Sequence, residues 1–185
     1  MAGSVSASPL YKDIKIINSD DNGIDFTITI TDPMKYLTPD VNSGDFFSIP
    51  VLIALPHEAT AFITNSRASD AVPLSGSDGI SYSSSETLAQ ISGTTVIRGR
   101  NIATIEVFPY YQGTFYGQIT VEVEFRHRPA AVSPLDVSPV TEGKIFNRIF
   151  DYTILNYEQA GSWPIYKSRP AEKTAQDVFS LSDDW

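Results

Sequence analysis

Alternation of apolar and polar residues is the clearest pattern along this chain, and it predicts antiparallel β-strands. Between residues 118 and 125, apolar and polar side chains take turns without a break: Ile119, Thr120, Val121, Glu122, Val123, Glu124 and Phe125. In an extended strand this spacing sends one set to a buried face and the other to solvent. A similar run at 102–109 precedes it across a loop rich in tyrosine and glycine. The pattern therefore predicts a hairpin within residues 96–126.

A second pair of alternating runs flanks the acidic stretch at residues 20–23. The apolar positions are Ile14, Ile16, Ile24, Phe26, Ile28 and Ile30. Asn22-Gly23 between the two runs predicts a hairpin turn, because both residue types tolerate positive φ. The stretch lacks the spacing and the distal glutamate of an EF-hand, so we interpret it as a turn and not as a calcium loop.

The middle of the chain mixes a continuous apolar run with polar, serine-rich sequence. Residues 46–56 are almost entirely apolar, as in a strand buried on both faces, but Pro50 limits that strand to a sheet edge or a bulge. Residues 59–64 predict a short strand. Residues 66–85 are rich in Ser, Asp, Gly and Ala, which predicts a long surface loop.

Periodicity changes after residue 140. Residues 128–139 carry three prolines and predict an extended connector. Residues 142–163 then show apolar side chains at helical spacing, with one stripe made of Ile145, Ile149 and Tyr152 and a second made of Phe146, Phe150 and Ile154. One or two short amphipathic helices are expected, with Gly161 placed to end them.

Together these patterns predict an all-β fold, an antiparallel β-sandwich of about seven to ten strands followed by a short helical segment. We divide the chain into a leader (1–9), a sandwich domain (10–139), a helical segment that packs on the sandwich (140–164), and a linker (165–185) toward a catalytic domain that this chain does not contain. The leader lacks the charged and apolar regions of a secretory signal, and we expect any signal peptide to have been removed already.

Composition narrows the chemistry further. The 185 residues include 22 acidic and 13 basic ones, a net charge of −9, which argues against nucleic acid or an anionic membrane as the main partner. No apolar run is long enough for membrane insertion. With no cysteine, thiol catalysis and thiolate metal sites are excluded. His57 and His127 lie 70 positions apart without the spacing of a zinc site or a triad, so we expect surface histidines, no metal, no cofactor and no enzymatic activity.

Three segments resemble the N-terminal propeptide of gingipain-type, caspase-like cysteine peptidases, which Bacteroidetes export by type IX secretion. They are FFSIPVLIALP at 46–56, VIRGRNIATIEVFPYYQGTFYGQITVEVEF at 96–125, and FNRIFDYTILNYEQAGSWP at 146–164. The Leu-Asn-Tyr-Glu run at 155–158 is the most specific piece. The Gly-x-Pro that usually precedes the first segment is reduced here to Gly-Asp-Phe-Phe at 44–47.

The resemblance implies a secreted or cell-surface prodomain that helps its peptidase to fold and keeps it latent until proteolytic removal. The partner would be the cognate caspase-like peptidase domain, in cis and, after cleavage, in trans. In such prodomains a basic loop residue enters the S1 pocket of the enzyme. Arg98-Gly99-Arg100 is the matching stretch here, and Lys167 and Lys173 are candidate processing sites.

Other interpretations stay open at this stage. Arg98 and Arg100 also fit solvated strand-end arginines, or arginines whose stems cover apolar surface. A stand-alone β-sandwich adhesion or carbohydrate-binding module would use Tyr110, Tyr111, Phe115 and Tyr116 as an aromatic platform, although the same residues fit a cap on the core. The N-terminal region of a type IX secretion sortase is a third alternative.

Overall fold

A computed structural model describes residues 13–31, 48–72, 84–127 and 144–163. These residues form eight strands and two short helices: β1 (Ile14–Asp20), β2 (Gly23–Thr29), β3 (Ile49–Leu55), β4 (Ala59–Val72), β5 (Ala89–Ile97), β6 (Arg100–Val107), β7 (Tyr110–Tyr111), β8 (Thr114–His127), α1 (Lys144–Thr153) and α2 (Tyr157–Ala160). Every pairing between these strands is antiparallel. No helix in the described ranges is long and apolar enough to cross a bilayer.

The strands divide into two sheets. One has the order β1-β2-β8-β4, with the short β7 added beside β8, and the other has the order β3-β6-β5. Inward-facing residues of both sheets meet in one core, which includes Phe26, Ile53, Ile105, Phe115 and Val121. Each of these side chains is almost completely buried, a state that stabilises a protein by about 1.5–3 kcal/mol per large apolar residue. The predicted all-β sandwich with a helical segment after it is confirmed.

The predicted hairpin within residues 96–126 is wrong. β6 pairs with β3 and β5, whereas β8 pairs with β2 and β4, so the two strands belong to different sheets. The tyrosine- and glycine-rich link forms β7, which folds back on the start of β8 around Gln112-Gly113. Alternation correctly placed the buried face of each strand, but it carries no information about which strand lies alongside.

The hairpin at the acidic stretch is confirmed, although for another reason than the one expected. β1 and β2 are paired up to Asp20 and Gly23, and the Asp20 carboxylate accepts hydrogen bonds from the Asn22 and Gly23 amides at 2.7 and 3.1 Å. Gly23 does not have a positive φ. A Cβ there would lie 2.3 Å from the carbonyl oxygen of Val123 on β8, so the neighbouring strand is what requires glycine.

The predicted surface loop at 66–85 is wrong in its first part, because residues 66–72 belong to β4. Its strand extends from Ala59 to Val72, and β8, of equal length, pairs with it almost throughout. A long partner strand thus keeps a serine-rich sequence extended where its own composition favours a loop. Residues 73–83 lie outside the described ranges. At the other sheet, Pro50 lies in β3, which is an edge strand as predicted.

The helical segment covers the outer face of the smaller sheet. Phe150, Ile154 and Ala160 pack against Ala54 of β3 and Ile102 of β6. Phe150 and Ile154, from one predicted stripe, are thus buried, whereas Ile149 and Tyr152 on the other stripe are 48% and 50% exposed. The leader at 1–9, the connector at 128–139 and the linker at 165–185 lie outside the described ranges.

Candidate functional site

Arg98 and Gly99 form the tip of the hairpin between β5 and β6. Ile97 pairs with Arg100, so the turn contains two residues only. Their φ angles are +52° and +78°, the pattern of a type I′ turn, which suits the right-handed twist of the strands. The first position usually holds Asn, Asp or Gly, because a left-handed conformation costs other residues about 1–2 kcal/mol. An arginine in this position is therefore a strained residue of the kind that concentrates at functional sites.

The surface beside Arg98 is apolar and open. Arg98 itself is exposed, and the preceding side chains, Val96 and Ile97, are 62% and 42% exposed. β5 is the edge strand of its sheet, and its residues from Ser92 to Ile97 all face solvent to a large extent. The hairpin tip thus combines a guanidinium with two aliphatic side chains on a short, fixed turn.

Arg100 is placed differently from Arg98. Its side chain is 7% exposed, and its Nη1 donates a hydrogen bond to the carbonyl oxygen of Ala160 at 2.5 Å. The guanidinium also lies 5.7 Å from the centre of the Tyr157 ring, within the range of a cation–π contact. The sequence hypothesis treated the two arginines together. In the structure Arg100 binds the helical segment of its own chain, and Arg98 is the arginine that faces outward.

The Leu-Asn-Tyr-Glu run explains how the helical segment is fixed. The Leu155 amide donates to the Leu52 carbonyl at 2.8 Å, as a neighbouring strand would. The side chain of Asn156 accepts from the Ala54 amide at 2.8 Å and donates to the Ala54 carbonyl at 3.1 Å. Asn156 is completely buried. The segment therefore covers the edge of β3 at Leu52 and Ala54, and edges of this kind can otherwise pair with another chain.

The segment continues from there to the β1–β2 turn. Trp163 donates its indole hydrogen to the Asp21 carboxylate at 2.6 Å, and its ring meets Phe125 edge-on at 6.1 Å. Ser19 on β1 donates a hydrogen bond to the side-chain oxygen of Gln159. Residues 154–163, called here the C-terminal clamp, thus connect the smaller sheet to one end of the larger one.

The aromatic residues do not form a flat platform. Phe115 is 1% exposed, and Tyr110 and Tyr116 pack against the core. Tyr111 meets Tyr116 at an interplanar angle of 45°, with their ring centres 6.4 Å apart. Stacking on a sugar needs an open ring face, so these residues serve mainly as a cap on the core.

The outer face of the larger sheet is polar, with an unfavourable charge pair at its centre. Asp25 on β2 lies directly opposite Glu122 on β8. Arg67 neutralises only part of this charge, through a hydrogen bond to Glu122 at 3.2 Å. Partial burial, followed by the charges of Glu122 and Asp20, raises the pKa of Asp25 above its ordinary value of 3.8.

Removal of that charge should stabilise the protein at neutral pH. Since the folded state raises the pKa of Asp25, its ionised form costs stability, and the cost develops as the pH rises from below 3.8 through the folded pKa. Asp25→Asn should therefore increase the free energy of unfolding at pH 7 by about 0.5 kcal/mol, the scale of a like-charge pair across two strands. Urea unfolding at pH 7 and pH 3 measures it, and the gain should vanish at pH 3. Asp151→Asn on exposed α1 is the charge-matched control, and an equal gain in both variants would contradict this assignment.

The remaining candidate residues from the sequence are two histidines and two lysines. His57 and His127 are exposed, and the described residues contain no cluster of three or more His, Asp or Glu side chains that could hold a metal. Lys167 and Lys173 lie outside the described ranges. Because the sequence has no cysteine, the chain is not itself a cysteine peptidase.

Comparison with known proteins finds similarity among solved structures only. No protein-family model matches the sequence, and no curated protein matches it either. Among solved structures, the fold is similar to a chain in the complex of Porphyromonas gingivalis RgpB pro- and mature domains, with a TM-score of 0.46 and 13% identity. The alignment covers 80% of this chain and 98% of that one.

Proposed function

We propose that this chain is the prodomain of a secreted, gingipain-like cysteine peptidase. It assists the folding of the peptidase domain and keeps it latent until proteolysis removes it. The observation that carries the proposal is the position of Arg98, exposed at the tip of a two-residue turn with fixed backbone geometry.

An inhibitory arginine has physical requirements that Arg98 meets. A guanidinium can pair with a carboxylate through two parallel hydrogen bonds, which makes it a strong anchor in an acidic pocket. A short turn between paired strands loses little conformational freedom on binding, and such preorganisation favours affinity. Complexes between peptidases and their inhibitors typically keep the free backbone conformation of the interface.

The geometry favours the prodomain over the adhesion or carbohydrate-binding alternative. That alternative relies on an aromatic platform, and Phe115 is buried in the core. The hairpin tip instead offers a single cation flanked by aliphatic residues, a shape suited to a pocket and not to a flat ligand. The cognate enzyme would accordingly cleave after a basic residue.

The first experiment is to sequence the gene on both sides of this chain and to express any caspase-like domain that it encodes. We expect that domain to be far less active when produced with this chain than after its removal. Adding the purified chain in trans should restore inhibition in a dose-dependent manner. A gene without a His- and Cys-containing peptidase domain, or a peptidase that the chain leaves fully active, would rule out the proposal.

A further inference from the structure

We infer that the hairpin tip presents Arg98 in a conformation that a peptidase can bind but cuts only slowly, and that Arg100 is the positioning residue that maintains it. The inference rests on the proposed function for the identity of the partner. Resistance to cleavage is a property of this chain alone, however, and any arginine-specific peptidase can test it.

The turn geometry opposes cleavage of the bond between Arg98 and Gly99. Peptidases bind the residues around a scissile bond in an extended conformation, with the backbone paired to the enzyme as in an added strand. Arg98 and Gly99 have φ angles of +52° and +78°, so both residues would have to leave the left-handed region. Extension would also break the Ile97–Arg100 pair, which closes the turn.

The sequence of the tip makes this protection necessary. Exposed loop tips are preferred sites of proteolysis, and an arginine there is a target for an enzyme that selects basic residues. A flexible loop carrying Arg98 would be a substrate and would soon be destroyed. A turn that holds Arg98 away from the extended conformation lets the same side chain occupy the pocket for longer.

Arg100 supplies the rigidity that the edge strand lacks. Among the described strands, β5 pairs with β6 alone, and its last six residues are exposed. The opposite side of the turn is fixed because Arg100 is buried, bonded to the Ala160 carbonyl and set over the Tyr157 ring. Opening of the turn on its β6 side therefore requires Arg100 to leave the C-terminal clamp. Cleavage that proceeds through such local opening is slowed in proportion to the rarity of the open state.

Limited digestion with trypsin tests the inference, with the cut after Arg98 quantified by mass spectrometry. Two variants should release the turn: insertion of three glycines after Gly99, and Arg100→Met, which keeps the size of the side chain but not its hydrogen bond. We expect both to be cut after Arg98 at least about tenfold faster than the unmodified chain. Arg67→Met makes the same chemical change on β4, away from the tip, and should not alter the rate. Circular dichroism at the digestion temperature verifies that each variant is folded.

The outcomes separate the parts of the inference. Cleavage of the unmodified chain as fast as the glycine-extended variant would overturn it. Slow cleavage of Arg100→Met, together with fast cleavage of the glycine-extended variant, would overturn the role of Arg100. Neither result depends on the cognate enzyme. The proposed function would fail separately, if the peptidase encoded by the same gene were not inhibited.

Discussion

Arg98→Ala should raise the inhibition constant against the cognate peptidase by at least about 30-fold. Arginines that anchor an interface in a pocket typically lose about 2 kcal/mol or more on truncation to alanine, and 1.4 kcal/mol corresponds to a factor of ten. Because Arg98 is exposed, truncation of its side chain leaves no cavity in the fold. The change should therefore appear in the inhibition constant and not in the melting temperature. Steady-state inhibition of the separated peptidase domain measures it.

Two further variants distinguish the guanidinium from the turn that carries it. Arg98→Asn places at the first turn position a residue that favours type I′ geometry, so the hairpin should persist while inhibition is lost. Arg67→Ala removes another exposed arginine, on β4, and should leave the inhibition constant unchanged. An unchanged constant for both Arg98 variants would exclude entry of this residue into the pocket. Strong inhibition that survives in Arg98→Ala would shift attention to other surfaces of the chain.

Asn156→Ala should destabilise the fold by about 3 kcal/mol, or lower the melting temperature by roughly 10 °C. The Asn156 amide is completely buried and makes two hydrogen bonds to the backbone of Ala54. Without it, a buried N–H and a buried C=O lose their partners, and each such loss costs about 1–3 kcal/mol. Thermal unfolding followed by circular dichroism provides the measurement.

Two further variants test whether the loss of stability is specific to the Asn156 amide. Asn65→Ala removes a half-buried amide from β4 that bonds to the Glu122 carboxylate, and it should cost well under half as much. Asn156→Asp keeps an acceptor for the Ala54 amide but sets a carboxylate opposite the Ala54 carbonyl, so it should be at least as damaging as alanine at neutral pH. Equal stability of Asn156→Ala and Asn65→Ala would show that β3 does not depend on this side chain.

The sequence correctly predicted those features of the fold that depend on the local alternation of apolar and polar residues. Ile119, Val121 and Val123 are buried, and the intervening Thr120 and Glu122 face outward, as the alternation of β8 predicts. Pro50 was correctly placed on an edge, since its missing N–H is tolerated only there or at a bulge. These features follow from the period of a strand and from the chemistry of one residue.

Which strands pair with each other, and which contacts individual side chains make, could not be predicted in the same way. β6 and β8 have strand patterns compatible with pairing to each other, yet the sandwich places them in opposite sheets. Nothing local indicates that Arg98 adopts a positive φ, because arginine is not a turn former and the paired strands impose the geometry. Likewise, Asn156 acquires its role from the edge of β3, about one hundred residues earlier in the chain. The sequence favoured Arg98 over Arg100 only slightly, as the arginine less likely to belong to the following strand, and it gave no sign that Arg100 contacts that same segment.

The C-terminal clamp covers the edge of β3, and it therefore determines which surface a proteolytic cut would expose. Loss of residues 154–163 after a cut at Thr153 would remove Leu155 and Asn156 from β3, so the Leu52 carbonyl and the Ala54 amide and carbonyl would lose these partners. Uncovered edges of this kind recruit further chains and start aggregates. A cut beyond Trp163 would release a fragment whose edge is still sealed. If the chain is a prodomain as proposed, the site of cleavage would thus decide whether the released fragment stays folded and separate or aggregates with its own copies.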